Sequence, residues 1–184
     1  MTRVGVFGGT FDPVHVGHLA IANAALDDIP LERVLFVPAR RSPLKAEGPV
    51  AGEIDRLRML EDSIVGEPRF GISRVELDRP GPSFTVDTLA ELRPEGELFL
   101  IVGSDAYADF PRWRDPQRIR SLASIVVAAR PGAPGVPQDV RLLDAPLLDI
   151  SSRELRARAA RGKSLRYLVT EAALRYIEEH RLYR

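Results

Sequence analysis

An α/β fold with a central parallel sheet is the architecture this sequence predicts, on three observations. Short β-branched or aromatic runs alternate with segments at helical spacing, as in a parallel sheet wrapped by helices. A glycine-rich segment, Gly8 to His18, leads from the first apolar run into the first helical pattern. The 184 residues, 45% hydrophobic and 28% charged, are enough for one full core and short for two, so one domain over 1–184 is expected.

Taken in order, Val4 to Phe7 forms a buried strand. Leu19, Ala22, Ala25 and Leu26 then share a helical face. Val34 to Val37 is a second strand, stopped by Pro38, and the Arg-, Pro- and Gly-rich stretch from Ala39 to Gly52 reads as a long, mobile, basic loop. Ile54 to Val65 is an amphipathic helix ending at Gly66. Phe70 to Leu77 alternates as a strand does, and Arg79 to Pro82 is a turn. Ser83 is placed to cap a helix that runs to about Leu92. Leu98 to Val102 and Ile125 to Ala129 are further strands, and Pro131 to Pro137 is a loop. Ser151 and Glu154 fit the N-cap and N3 positions of a capping box, and a last helix spans about Leu165 to His180.

Composition removes several classes of function. Lys plus Arg and Asp plus Glu both total 26, so the chain lacks the basic excess expected for nucleic acid or an anionic membrane as main partner. A local patch for a small anion needs no such excess. There are no cysteines, which excludes disulfides, thiol nucleophiles and cysteine-ligated metals and suits a reducing cytoplasm. No signal-peptide pattern is present, and no apolar run approaches the roughly 20 residues that span a bilayer. A soluble cytoplasmic protein is expected, with a homo-oligomer left open.

The segment Gly8-Gly9-Thr10-Phe11-Asp12-Pro13-Val14-His15-Val16-Gly17-His18 carries the strongest chemical signal. It lies between a buried strand and a helix, where an open α/β sheet binds its ligands. Two glycines let the backbone approach a bulky anion, and the helix start near Val16 offers free N–H groups and partial positive charge. His15 and His18, at i and i+3, can both face that spot and donate to phosphate oxygens. The competing readings are a glycine-rich turn with incidental histidines, and a metal site. The latter lacks a third ligand, since His180 is far along the chain. Neither the P-loop ending nor the dinucleotide fingerprint is present.

The Gly8–His18 segment resembles the signature of the nucleotidyltransferase superfamily, which ends in His-x-Gly-His. Further segments resemble the bacterial nicotinate-nucleotide adenylyltransferases. These are Val37-Pro38 through Pro43-Leu44-Lys45, Ser83 to Leu89, Gly103-Ser104-Asp105 and Phe110-Pro111-Arg112-Trp113. Ala129 to Gly132, Ile150-Ser151-Ser152 with Arg156, and Leu182-Tyr183-Arg184 complete a collinear set over essentially the whole chain. The resemblance implies a Rossmann-like nucleotidyltransferase fold with a small helical C-terminal portion, about 151–184.

It also implies roles. His15 and His18 would be catalytic, and Gly8, Gly9, Thr10 and Phe11 would bind ATP with them. Ser151, Ser152 and Ile150, at a helix start, would cradle the β/γ-phosphates with Arg156. Asp105 matches a residue near the ATP ribose, although a cap on the next helix explains it equally, and Arg130 matches a position near the nucleotide. On the acceptor side the resemblance implies Thr10, Lys45, Thr85 near the pyridine carboxylate, and Trp113 against the pyridine ring. Alone, Trp113 reads as packing and Thr85 as a first-turn residue. Lys45 lies in the loop with Arg40 and Arg41, where Arg41 reads as solvated. The family's usual Pro-Pro-His is Ser42-Pro43-Leu44 here, so no loop imidazole is implied, and Arg153 stands where Thr or Ser is common.

The implied reaction is direct in-line transfer of the adenylyl group of ATP to nicotinate mononucleotide, with Mg²⁺ held chiefly by phosphates and water. The rivals are another acceptor (nicotinamide mononucleotide, phosphopantetheine, or cytidylyl transfer) and a non-catalytic nucleotide-binding regulator. A dinucleotide-dependent oxidoreductase lacks its fingerprint.

Overall fold

A computed structural model describes residues 2–43, 48–129 and 140–184. Among these, six strands form one parallel sheet in the order β3-β2-β1-β4-β5-β6. The strands are β1 (Arg3–Gly9), β2 (Arg33–Pro38), β3 (Phe70–Ile72), β4 (Glu97–Gly103), β5 (Ala123–Ala128) and β6 (Arg141–Leu143). The order reverses between β1 and β4, and the crevice at their carboxyl ends is where such a sheet takes a ligand.

Period-two alternation sends each strand's side chains to two cores. Phe7, Phe36, Phe99 and Ile101 face one layer, formed by α1 (Val16–Asp28), α2 (Glu53–Ile64) and α8 (Glu171–Glu179). Val4, Val6, Leu98 and Leu100 face the other, which includes α4 (Thr85–Leu92) and α6 (Pro116–Leu122). Both faces are therefore covered, which is why the strands read as near-continuous apolar runs. Short helices α3 (Val75–Asp78) and α5 (Ser104–Ala108) follow β3 and β4, and α7 (Ser152–Ala159) precedes α8.

Three expected elements differ. Phe70 to Leu77 is not one strand: β3 ends at Ile72, and α3 then turns Glu76 inward, where its carboxylate accepts from the Thr88 hydroxyl at 2.6 Å. Ser83 does not cap α4, whose N-cap is Phe84; its hydroxyl instead accepts from the N–H groups of Arg40 and Arg41, at 3.0 and 3.4 Å. The last helix begins at Glu171 rather than near Leu165, capped by Thr170, whose hydroxyl accepts from Ala173 N–H at 3.1 Å. The stretch before it is a turn that presents the Leu168 carbonyl to Val16 N–H at 3.1 Å, closing the start of α1. Strand β6 and helices α5 and α6 lack a strong sequence signal because each is short.

Gly96 shows a backbone requirement. It sits at φ 144°, and a Cβ built there would lie 2.1 Å from the Thr2 carbonyl oxygen, which accepts from Glu97 N–H to set the start of β4 beside β1. Gly96→Ala is expected to destabilise the fold by about 2–3 kcal/mol, from forced φ plus displacement of that pairing. Urea unfolding checks it, and a change within about 0.5 kcal/mol would contradict the backbone argument.

Candidate active site

The loop after β1 is built from its own packing. Phe11 adopts φ 48°, held by its ring, which is 1% exposed and packs edge-on against Phe7, Phe36 and His18. A Cβ at Gly9 would approach that ring to 2.9 Å, so Gly9 gives Phe11 its space. The Phe11 side chain thus supports the loop from within the core and forms no wall of either adjoining cavity.

His15 is the N-cap of α1 and His18 its N3 residue. Their rings stack with centroids 3.7 Å apart and planes inclined 27°. The His15 N–H donates to His18 Nδ1 at 3.2 Å, so that nitrogen is an acceptor and a neutral His18 carries its proton on Nε2. Capping the helix and setting the imidazole tautomer are one arrangement. Both histidines border the first of two cavities above the strand ends, of about 710 Å³.

The same cavity is bounded by the start of α7. Ser151 is the N-cap, its oxygen accepting from Glu154 N–H at 3.2 Å, which is one half of the expected capping box; the Glu154 side chain takes the Ser151 hydroxyl rather than its N–H. The two serine hydroxyls are already engaged as donors, however: Ser151 to Glu154 Oε2 at 2.6 Å and Ser152 to the Pro13 carbonyl at 2.9 Å. What α7 presents to an anion is therefore its first-turn N–H groups and positive end, rather than those hydroxyls. Arg156 Nη1 donates to the Asp12 carbonyl at 2.8 Å and borders the cavity with Ile150 and Arg153.

A second cavity, about 640 Å³, lies on the other side of the β1–β4 crevice. Thr85, the first residue of α4, and Trp113 line it, as does Gly9. Trp113 rests on Phe110 with centroids 5.5 Å apart, and its Nε1–H has no acceptor among the described residues. The two cavities share Gly8, Thr10, Ser42, Gly103, Asp105 and Ala106. Asp105 stands in the first turn of α5, whose N-cap is Gly103. Lys45 and Arg130 lie outside the described residues. Arg40 pairs with Glu53 at 3.2 Å.

Sequence reasoning missed the groups beneath the site. Asp12 is 2% exposed, and its carboxylate accepts from Val50 N–H at 2.8 Å, Ala51 N–H at 3.1 Å and the Tyr183 hydroxyl at 2.8 Å. Burial, the Asp12 charge and the hydrogen bond to it push the Tyr183 phenol far above its usual range, so it remains a donor. Arg56, fully buried, donates Nη1 to the Thr10 and Ala39 carbonyls at 2.7 and 2.9 Å. Burial lowers its pKa, opposed by the charges of Asp12 and Glu53. For Arg56 the sequence signal was a charged residue amid the apolar positions of α2.

Solved structures share this architecture. One is the nicotinic acid mononucleotide adenylyltransferase of Plasmodium falciparum complexed with NaAD. It matches with a TM-score of 0.81 at 17% identity, over 100% of this chain and 98% of that one. The same protein complexed with APC gives 0.78 at 19%, over 100% and 98%. The cytidylyltransferase-like family matches residues 6–158. A Thermus thermophilus protein described as a probable nicotinate-nucleotide adenylyltransferase is 49% identical over 187 residues, 99% of this chain and 100% of that one. One of the same description from Roseiflexus sp. (strain RS-1) is 46% identical over 194 residues, 98% of each. With His15, His18 and the α7 start gathered at one crevice, and relatives matched from end to end, the chain belongs to the nicotinate-nucleotide adenylyltransferases within the cytidylyltransferase-like family.

Proposed function

We propose that the protein transfers the adenylyl group of ATP to nicotinate mononucleotide, giving nicotinate adenine dinucleotide and pyrophosphate, a step of NAD synthesis. The observation that carries this is the pair of cavities meeting over Gly8, Thr10 and Gly103. A two-substrate transfer needs a donor and an acceptor compartment that touch at one point. The full-length relatives supply the acceptor's identity.

ATP occupies the histidine-lined cavity, its triphosphate directed at the starts of α1 and α7 and at Arg156. The mononucleotide occupies the other, its ring against Trp113 and its carboxylate at the first-turn N–H groups of α4. A phosphate oxygen of the mononucleotide bonds to the α-phosphorus as the bond to the β-phosphate bridging oxygen breaks, and pyrophosphate leaves. The attacking phosphate is already anionic, so no general base is required. The chain contributes alignment and charge stabilisation, with His18 Nε2–H donating to the transferring phosphate. Among the described residues no three His, Asp or Glu side chains group to hold a metal. Mg²⁺ would be carried mainly by the ATP phosphates and water, where it would offset negative charge.

His18→Ala is expected to lower kcat on the order of a hundredfold, about 3 kcal/mol, with little change in the KM for ATP. An unchanged kcat would remove the role given to Nε2–H. Trp113→Ala is expected to raise the KM for the mononucleotide about fivefold, roughly 1 kcal/mol, and leave that for ATP alone. The first assay is pyrophosphate release with Mg²⁺-ATP and each acceptor in turn. Faster release with nicotinate than with nicotinamide mononucleotide is expected, equal rates would dissolve the acid pocket, and release only with phosphopantetheine would overturn the acceptor.

A further inference from the structure

Asp12 brings together parts of the chain that the reaction needs in register, and its oxygens are shared unevenly. Oδ1 takes Tyr183 at 2.8 Å and Ala51 N–H at 3.1 Å, while Oδ2 takes Val50 N–H at 2.8 Å. Arg156 stands further off, Nη1 at 3.6 Å from Oδ2, beyond hydrogen-bond distance, because it donates to the Asp12 carbonyl instead. Its side chain is 27% exposed and borders the nucleotide cavity, whereas that of Asp12 is 3% exposed. A buried carboxylate that loses a donor draws in the nearest mobile one. A shift of under about 1 Å would bring Arg156 Nη1 onto Oδ2, committing it to the carboxylate rather than to a ligand in the cavity that both residues line.

We propose that Tyr183 is a positioning residue for the nucleotide site: its hydroxyl, on Oδ1, disperses the charge of the Asp12 carboxylate, which leaves Arg156 off Oδ2 and available to the triphosphate. Tyr183 is itself fixed at φ 64°, 8% exposed, beyond the end of α8, where Leu182 N–H donates to the Ile177 carbonyl at 3.0 Å. The phenol thus acts on ATP through two intervening groups and touches no substrate. Among the described residues Arg56 is the other cation near Asp12, but Nη1 is committed to the Thr10 and Ala39 carbonyls and the side chain is fully buried. The proposal rests on ATP occupying the histidine-lined cavity.

The test is calorimetric titration of Mg²⁺-ATP into the full chain for wild type, Tyr183→Phe, Arg156→Ala and the double variant, with folding at the assay temperature checked by circular dichroism. Tyr183→Phe is expected to weaken ATP binding roughly tenfold, the scale of one charge-assisted hydrogen bond, and to leave the KM for nicotinate mononucleotide within about twofold. In the Arg156→Ala background the same change is expected to cost ATP nothing further. Val50→Pro removes another donor from the same carboxylate at a residue that also lines the nucleotide cavity, so it is read against Val50→Ala, which keeps the donor: the proline variant alone is expected to weaken ATP, guarding against a Tyr183 variant that does not fold. Unchanged ATP affinity with a lowered melting temperature, or full additivity with Arg156→Ala, would overturn the proposal. Wild type that binds ATP but does not turn over nicotinate mononucleotide would remove the acceptor reading while leaving the Tyr183 comparison decisive. Wild type that binds no ATP would overturn both.

Discussion

The carboxylate of Asp12 is the point at which otherwise separate parts of the chain are held to one another. The loop after β1, the backbone entering α2 and the segment beyond α8 meet there, and the guanidinium of Arg156 donates to the same residue's backbone carbonyl. A carboxylate this deeply buried is tolerable only with its lone pairs filled and a compensating charge near, and Arg56 lies below to supply that charge. The energy needed to bury the charge is what makes the arrangement specific. Displacing any of the donors leaves an anion in a low-dielectric interior, so the segments are held in one geometry rather than in a range of them.

From that anchored loop the rest of the site follows by helix chemistry. α1 begins where the loop ends, and its first turn is closed by groups from far along the chain, including the Leu168 carbonyl. α7 is attached to the loop through Ser152 and Arg156. Two helix starts consequently point at one place above the sheet, and the histidine pair sits at one of them. The parallel sheet matters here because it puts every strand's carboxyl end, and the helix starts that follow, on the same edge.

What was legible in the sequence was local. The glycine–histidine segment, the Ser151 cap and the apolar strands each declare themselves within a few residues, and their chemistry depends on spacing along one element. The rest depends on distant partners. Tyr183 and Asp12 are 171 positions apart, and no pattern in either neighbourhood names the other. Ser83 looked like a helix cap because its flanking residues allow it, and was diverted by the backbone of Arg40 and Arg41, which offered two donors. The turn before α8 carries helical spacing, yet the need to close α1 takes its Leu168 carbonyl. Local propensity lost in both cases to an unsatisfied backbone group elsewhere.

The two cavities touch along a narrow wall of mostly small residues, but their outer linings come from different stretches of chain. The histidine side draws on α1 and α7; the other side draws on α4 and the Phe110–Trp113 turn. Changes to the acceptor lining therefore need not pass through the parts that handle the nucleotide. A scaffold partitioned in this way can acquire a new acceptor by altering one lobe of the crevice while the other is inherited intact, so diversification of substrate and retention of chemistry become separable events in its history.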